Sequence, residues 1–133
     1  MSKIVVSGGF DPIHIGHVRM IQDASKLGEL TVILNTDDFL MNKKGFVFMP
    51  FDERKEILEN IKGVSKVFDC IDKDQTVCET IKLLRPDIYC NGGDRFEDNI
   101  PEKELCEGLG IEMKFNVGGE KIQSSSWLVG RFV

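Results

Sequence analysis

Five short apolar runs alternate with segments of helical spacing along this chain, and that alternation constrains the fold more than any other feature. The expected strands are Ile4 to Ser7, Leu30 to Asn35, Lys66 to Ile71, Asp87 to Asn91 and Glu112 to Asn116. The expected helices are Gly16 to Leu27, Phe51 to Ile61, Thr76 to Leu84, Pro101 to Leu109 and Ser125 to Phe132. A helix between successive strands makes each connection a crossover, so the strands run parallel and both sheet faces need covering. The expected fold is therefore α/β, a Rossmann-like doubly wound five-stranded parallel sheet with strand order 3-2-1-4-5. No repeat, low-complexity tract or linker interrupts the pattern. With 133 residues the chain reads as a single domain over 1–133, long enough to bury one core without disulfides or metal staples.

In such an order the sheet reverses between the first and fourth strands, and ligands bind just outside the carboxyl ends there. The loop after strand one is Ser7-Gly8-Gly9-Phe10-Asp11-Pro12-Ile13-His14-Ile15-Gly16-His17. Glycines at 8 and 9 let main chain approach a ligand closely. The chain has two histidines, both in this loop and three residues apart, so they share a face if the helix has begun. Imidazoles and unpaired N–H groups at a helix N-terminus form a place to hold phosphate. The plainer alternative is a tight turn with a capping histidine. A zinc site lacks further Cys or His at ligand spacing. The loop after strand four, Asn91-Gly92-Gly93-Asp94-Arg95, is also glycine-rich, which places a glycine loop on each side of one crevice; alone it would be an ordinary turn.

Other segments carry weaker signals. Asn35-Thr36-Asp37-Asp38 closes strand two; Asp37 either accepts from a ribose, positions a basic group, or belongs to N-cap chemistry for a helical turn. Lys43-Lys44-Gly45 reads as a solvated turn that becomes a mobile clamp beside an anionic crevice. Phe46-Val47-Phe48-Met49-Pro50-Phe51 is apolar enough to pack under the next helix or to meet a partner. Arg54 is a helix-surface residue or a phosphate contact, and spacing favours the surface. Ser124, Ser125 and Ser126 stand where the last helix starts; one hydroxyl suffices as a cap, and three also make a second anion site. Trp127 reads as a core or dimer anchor rather than a stacking platform.

The net charge of −5 argues against a general nucleic-acid binder but not against a small anionic substrate. No apolar run approaches the roughly 20 residues that span a membrane, and no leader pattern opens the chain. Cys70, Cys78, Cys90 and Cys106 lack C-x-x-C spacing and read as reduced, mostly buried thiols of a cytoplasmic protein.

Gly9-Phe10-Asp11-Pro12-Ile13-His14-Ile15-Gly16-His17 resembles the G-x-F-D-x-x-H-x-G-H signature of the cytidylyltransferase-like nucleotidyltransferase superfamily. Later segments follow in family order. Lys26-Leu27-Gly28-Glu29-Leu30 resembles K-x-L-G-D, and Asn35-Thr36-Asp37 resembles the [N/S]-[S/T]-D that ends strand two. Lys44-Gly45, Pro50 and Glu53-Arg54 resemble the mobile lysine loop and the E-R helix. Pro86-Asp87-Ile88 with Asn91-Gly92-Gly93-Asp94 is similar to the P-D-x-x-x-x-G-G-D of heptose-1-phosphate adenylyltransferases; glycerol-3-phosphate and choline-phosphate cytidylyltransferases more often show G-D-D. The R-T-x-G-I-S-T pattern of cytidylyltransferases is not matched, because Gly119-Glu120-Lys121-Ile122-Gln123 replaces it.

The resemblance implies nucleotidyl transfer from a nucleoside triphosphate, ATP slightly ahead of CTP, to a phosphorylated sugar or polyol, releasing pyrophosphate. It implies catalytic roles for His14, His17 and Lys44. Gly8, Gly9, Phe10, Asp11 and Gly16 would surround the phosphates, and Asp37 and Arg54 would also bind the nucleotide. Asn91, Gly92, Gly93 and Asp94 would lie beside base and ribose, and Ser124 to Ser126 would hold the β- and γ-phosphates. Asp11 would orient the loop or help hold a Mg²⁺ that spans the triphosphate, with no protein metal cluster expected. It also implies a homodimer and no nucleic-acid or membrane partner. The alternatives are a CTP-using cytidylyltransferase for glycerol 3-phosphate or another phospho-alcohol, and a non-catalytic nucleotide sensor of the same fold.

Overall fold

A computed structural model describes residues 2–92, 100–119 and 123–130. Strand β1 (Lys3–Gly8) leads through the histidine loop into α1 (Ile15–Ser25), followed by β2 (Glu29–Leu34). Two helices, α2 (Asp37–Lys44) and α3 (Phe51–Glu59), precede β3 (Val64–Asp69). The second half runs α4 (Cys78–Leu84), β4 (Ile88–Cys90), α5 (Lys103–Leu109), β5 (Glu112–Lys114) and α6 (Ser125–Gly130). The five strands form one sheet in the order β3-β2-β1-β4-β5, and every neighbouring pair is parallel. Both the order and the parallel pairing match the expectation from the alternating pattern.

Side-chain alternation explains the two-sided burial. Ile4 and Val6 of β1 join Val32, Leu34, Ile21 of α1 and Leu58 of α3 in one core cluster. Val5 points to the other face, where it meets Ile33, Tyr89, Ile81 of α4 and Cys106 of α5. Successive strand residues face opposite sides, so a continuous apolar run is what a sheet covered on both faces requires. All four cysteines are free, and burial pushes the thiols of Cys90 and Cys106 up to about 11, which keeps them protonated and unreactive. Among the described residues, no helix is long and apolar enough to cross a membrane.

One element departs from expectation. The segment read as a turn ending in Lys43-Lys44-Gly45 is helix α2. Thr36 is its N-cap, its hydroxyl accepting the Phe39 N–H at 3.2 Å. Asp37 and Asp38 occupy the first turn, Lys43 and Lys44 the last, and Gly45 closes it in the left-handed region at φ 81°. Each end is thus stabilised by capping and by charges that oppose the helix dipole. Only Phe39 and Leu40 are buried along its eight residues, too few to register as a helical stripe. The expected helices at 76 and 101 begin two residues later, at Cys78 and Lys103, and the end of the last expected helix lies outside the described residues.

Candidate active site

Helix α1 starts at the site and is capped by the histidines themselves. His14 is the N-cap residue, in extended conformation, and its Nδ1 accepts the Gly16 N–H at 3.0 Å. In return His17 Nδ1 accepts the His14 N–H at 3.2 Å. This is the reciprocal arrangement of a capping box, with imidazoles in place of the usual hydroxyl and carboxyl. The rings stack with centroids 3.8 Å apart and planes 24° from parallel. Phe10 closes over His17 at 4.7 Å. A side chain on Gly16 would press to 2.9 Å from the His14 ring.

These contacts settle the protonation of His17. Burial, reinforced by the neighbouring His14, pushes its imidazole down to about 3. A neutral ring whose Nδ1 accepts a hydrogen bond carries its proton on Nε2. The ring is therefore a donor of one directed hydrogen bond, not a proton reservoir near neutral pH.

Asp11 organises the chain on the opposite wall. It is buried, and its carboxylate accepts the Phe48 N–H at 2.7 Å and the Met49 N–H at 2.5 Å. Lys44 donates from Nζ to the Asp11 carbonyl at 2.8 Å and stands 3.4 Å from its carboxylate. Of the two roles expected for Asp11, loop orientation is the one its contacts perform. Both carboxylate oxygens face donors, and no three candidate ligand side chains gather among the described residues.

Arg54 overturns the expectation of a surface residue. It is 1% exposed, and its guanidinium donates to the carbonyls of Gly9, Asn35 and Met49 and to the Asp37 carboxylate. Asp37 accordingly positions a basic group, as one of its alternative readings held. Neither side chain borders the crevice as a direct phosphate or ribose contact would require. Gly8 is likewise inside β1, paired with Leu34, and not on the crevice wall.

The crevice is a cavity of about 490 Å³ at the carboxyl ends of β1 and β4, where the strand order reverses. It brings together Gly9, Phe10, Asp11, His14, Gly16 and His17 from the first loop, Lys44 from α2, and Asn91 and Gly92 from the fourth. Ser124, Ser125 and Ser126 complete the wall from α6. Gly93 and Asp94 lie outside the described residues. Two of the serine hydroxyls have internal partners: Ser124 Oγ accepts the Trp127 N–H at 3.0 Å, and Ser125 Oγ donates to the Pro12 carbonyl at 2.7 Å. The second contact ties α6 to the histidine loop across the cavity.

Several wall residues lie outside the site set that the resemblance implied, although Lys43 belongs to the segment read as a clamp. Lys43 adds a second cation, and Ser7 hydrogen-bonds the Tyr89 hydroxyl at 2.8 Å. Trp127, expected as an anchor, is 52% exposed and borders the cavity. The turn Val117-Gly118-Gly119 also borders it, with Gly118 pressed against the main chain of Met20. A glycine pair marked that turn, but no local signal pointed it toward the site.

Comparison with known proteins agrees with this geometry. Residues 5–123 match the family model described as cytidylyltransferase-like. FAD synthase of Ferroglobus placidus is 31% identical over 112 residues, 84% of this chain and 72% of the relative. Bifunctional protein HldE of Syntrophotalea carbinolica is 36% identical over 110 residues, and there the match spans 22% of the relative. The crystal structure of the lipopolysaccharide core biosynthesis protein from Thermoplasma volcanium superposes with a TM-score of 0.73 over 86% of this chain and 95% of that one. At 22% identity that likeness concerns the fold alone. From the histidine loop, the strand order and these relatives, the chain belongs to the cytidylyltransferase-like family and is a nucleotidyltransferase.

Proposed function

We propose that the chain transfers the nucleoside monophosphate part of a triphosphate, ATP in preference to CTP, to a phosphorylated sugar or polyol, releasing pyrophosphate. The stacked His14–His17 pair carries this reading, because both rings border the cavity that Lys44 also lines. An acceptor phosphate oxygen attacks the α-phosphorus in line, and the bond to the pyrophosphate oxygen breaks. This needs no protein nucleophile. It needs alignment and hydrogen bonds to the charge that builds on the α-phosphate. In this proposal His14 and His17 supply those donors from Nε2, and Lys44 exchanges Asp11 for a phosphate oxygen. Gly9 and Phe10 lend main-chain N–H groups, and Ser126 with the start of α6 meets the outer phosphates. Asn91 and Gly92 border base and ribose. A Mg²⁺ would arrive with the triphosphate, whose charge it offsets.

The relatives named FAD synthase support adenine, because their named product contains an adenylyl group. They also add a phosphorylated flavin to the acceptors worth testing. We propose further that two copies pair over the face bearing Phe46 and Phe48, exposed at 38% and 57%, in a cytoplasmic setting. A sedimentation run showing monomer alone at micromolar concentration would contradict the pairing. The reaction is tested by pyrophosphate release with ATP and CTP in parallel, over sugar phosphates, glycerol 3-phosphate, phosphocholine and flavin mononucleotide. Release with one pair, abolished in His17→Ala, is the expected result. Silence with every pair, while either nucleotide still binds, would favour a sensor.

A further inference from the structure

Arg54 lies beneath the histidine loop, and its contacts reach further than packing. Nη1 donates to the carbonyls of Gly9 and Asn35, each at 2.8 Å. Nε donates to Met49 O at 2.9 Å, and Nη2 to Asp37 Oδ1 at 2.7 Å. Four acceptors from three segments surround one planar cation, a task suited to the guanidinium fork and not to an ammonium.

The Gly9 contact has a geometric consequence. Among the described residues the cis peptide is Asp11–Pro12, so the Gly9–Phe10 peptide is trans. In a trans peptide the C=O and the following N–H point in opposite directions. Arg54 holds the Gly9 carbonyl on the buried side, so the Phe10 N–H turns to the other side, where Gly9 and Phe10 border the cavity. Phe10 sits at φ 51°, a region that a bulky residue adopts when its surroundings hold it there. Its ring is buried against His17, and its N–H has no partner among the described residues. The same guanidinium fixes Met49, whose N–H meets Asp11, the residue that receives Lys44.

We infer that Arg54 is a positioning residue: by gripping the Gly9 carbonyl, it presents the Phe10 N–H to a phosphoryl oxygen in the cavity without touching the ligand. The inference rests on the reading of this cavity as a triphosphate site. It assigns Arg54 a role different from the surface position that its helical spacing favoured and from the direct nucleotide contact that the resemblance implied.

Amide and imidazole NMR on the full chain tests it, with ATP, CTP and inorganic tripolyphosphate as probes. In the unmodified protein the Phe10 amide signal should move with all three, while Val5, in the core of β1, stays still. In Arg54→Lys the Phe10 response should vanish and tripolyphosphate affinity fall about tenfold, the value of one hydrogen bond to a charged group. The His17 ring signals should still respond in that variant. A Phe10 amide unmoved in the unmodified protein while His17 responds would overturn the inference and leave the site reading intact. An Arg54→Lys protein responding like the original would overturn it as well. No response at Phe10 or His17 to any polyphosphate would defeat the site reading itself. Should Arg54→Lys fail to fold, Asp37→Asn loosens the guanidinium from outside the cavity. That variant should weaken tripolyphosphate about threefold, in line with loss of a partly exposed ion pair, and unchanged affinity would count against the inference.

Discussion

Replacing Asp11 by asparagine should loosen the loop that carries the active-site lysine, by an amount that follows from the contacts. Oδ2 accepts the Phe48 N–H and faces Lys44, and Oδ1 accepts the Met49 N–H. A carboxamide offers one oxygen, so in either orientation one main-chain N–H meets an NH₂ group. Leaving a buried donor without its acceptor costs about 1–3 kcal/mol. The surviving N–H contact also loses its charge assistance, worth about 0.5–1 kcal/mol more. The ion pair with the partly exposed Lys44 contributes less than about 1 kcal/mol. Together these predict a loss of roughly 2–4 kcal/mol, or a melting temperature lower by about 8–15 °C for a chain of this length. Urea unfolding followed by circular dichroism measures it, with Lys44→Met as the control, expected to cost less than about 1 kcal/mol. A loss below about 0.5 kcal/mol in Asp11→Asn would refute the reasoning, as would a Lys44→Met cost equal to it.

The depressed His17 imidazole makes stability depend on pH in a defined direction. Near its ordinary value of 6.5 the unfolded chain takes up a proton that the folded chain refuses until about 3. Stability is therefore full above the first value and declines toward the second, by at most about 1.4 kcal/mol per pH unit. Urea midpoints at about pH 6 and 5 should fall more steeply for the original protein than for His17→Gln, and equal slopes would contradict the assigned burial. Gly118→Ala should cost about 2 kcal/mol or more, because φ is 89° and a Cβ would sit 2.8 Å from the Met20 nitrogen. An unchanged urea midpoint would mean that the 117–119 turn does not press on α1.

Much of the architecture was legible because strands buried on both faces leave continuous apolar runs, as Ile4-Val5-Val6 and Val32-Ile33-Leu34 do. The histidine pair was legible because both rings come from one loop, where spacing along the chain predicts spacing in space. Helix α2 was not, since its stability resides in Thr36 and Gly45 at its ends rather than in an apolar stripe. Arg54 was misread for a different reason. Its acceptors come from Gly9, Asn35 and Asp37, distant along the chain and mostly main-chain carbonyls, which residue type does not reveal. The 117–119 turn and Trp127 reach the cavity through tertiary packing that no local pattern encodes.

The most direct test of nucleotidyl transfer follows the phosphates themselves. With whichever acceptor supports turnover, the reaction is run with ATP labelled at the α- or at the γ-phosphorus, and the label is traced. The account predicts α-label in the acceptor product and γ-label in pyrophosphate, both lost in His17→Ala. Label from the γ-position in the acceptor, or in free orthophosphate, would mean phosphoryl transfer or hydrolysis and would contradict it.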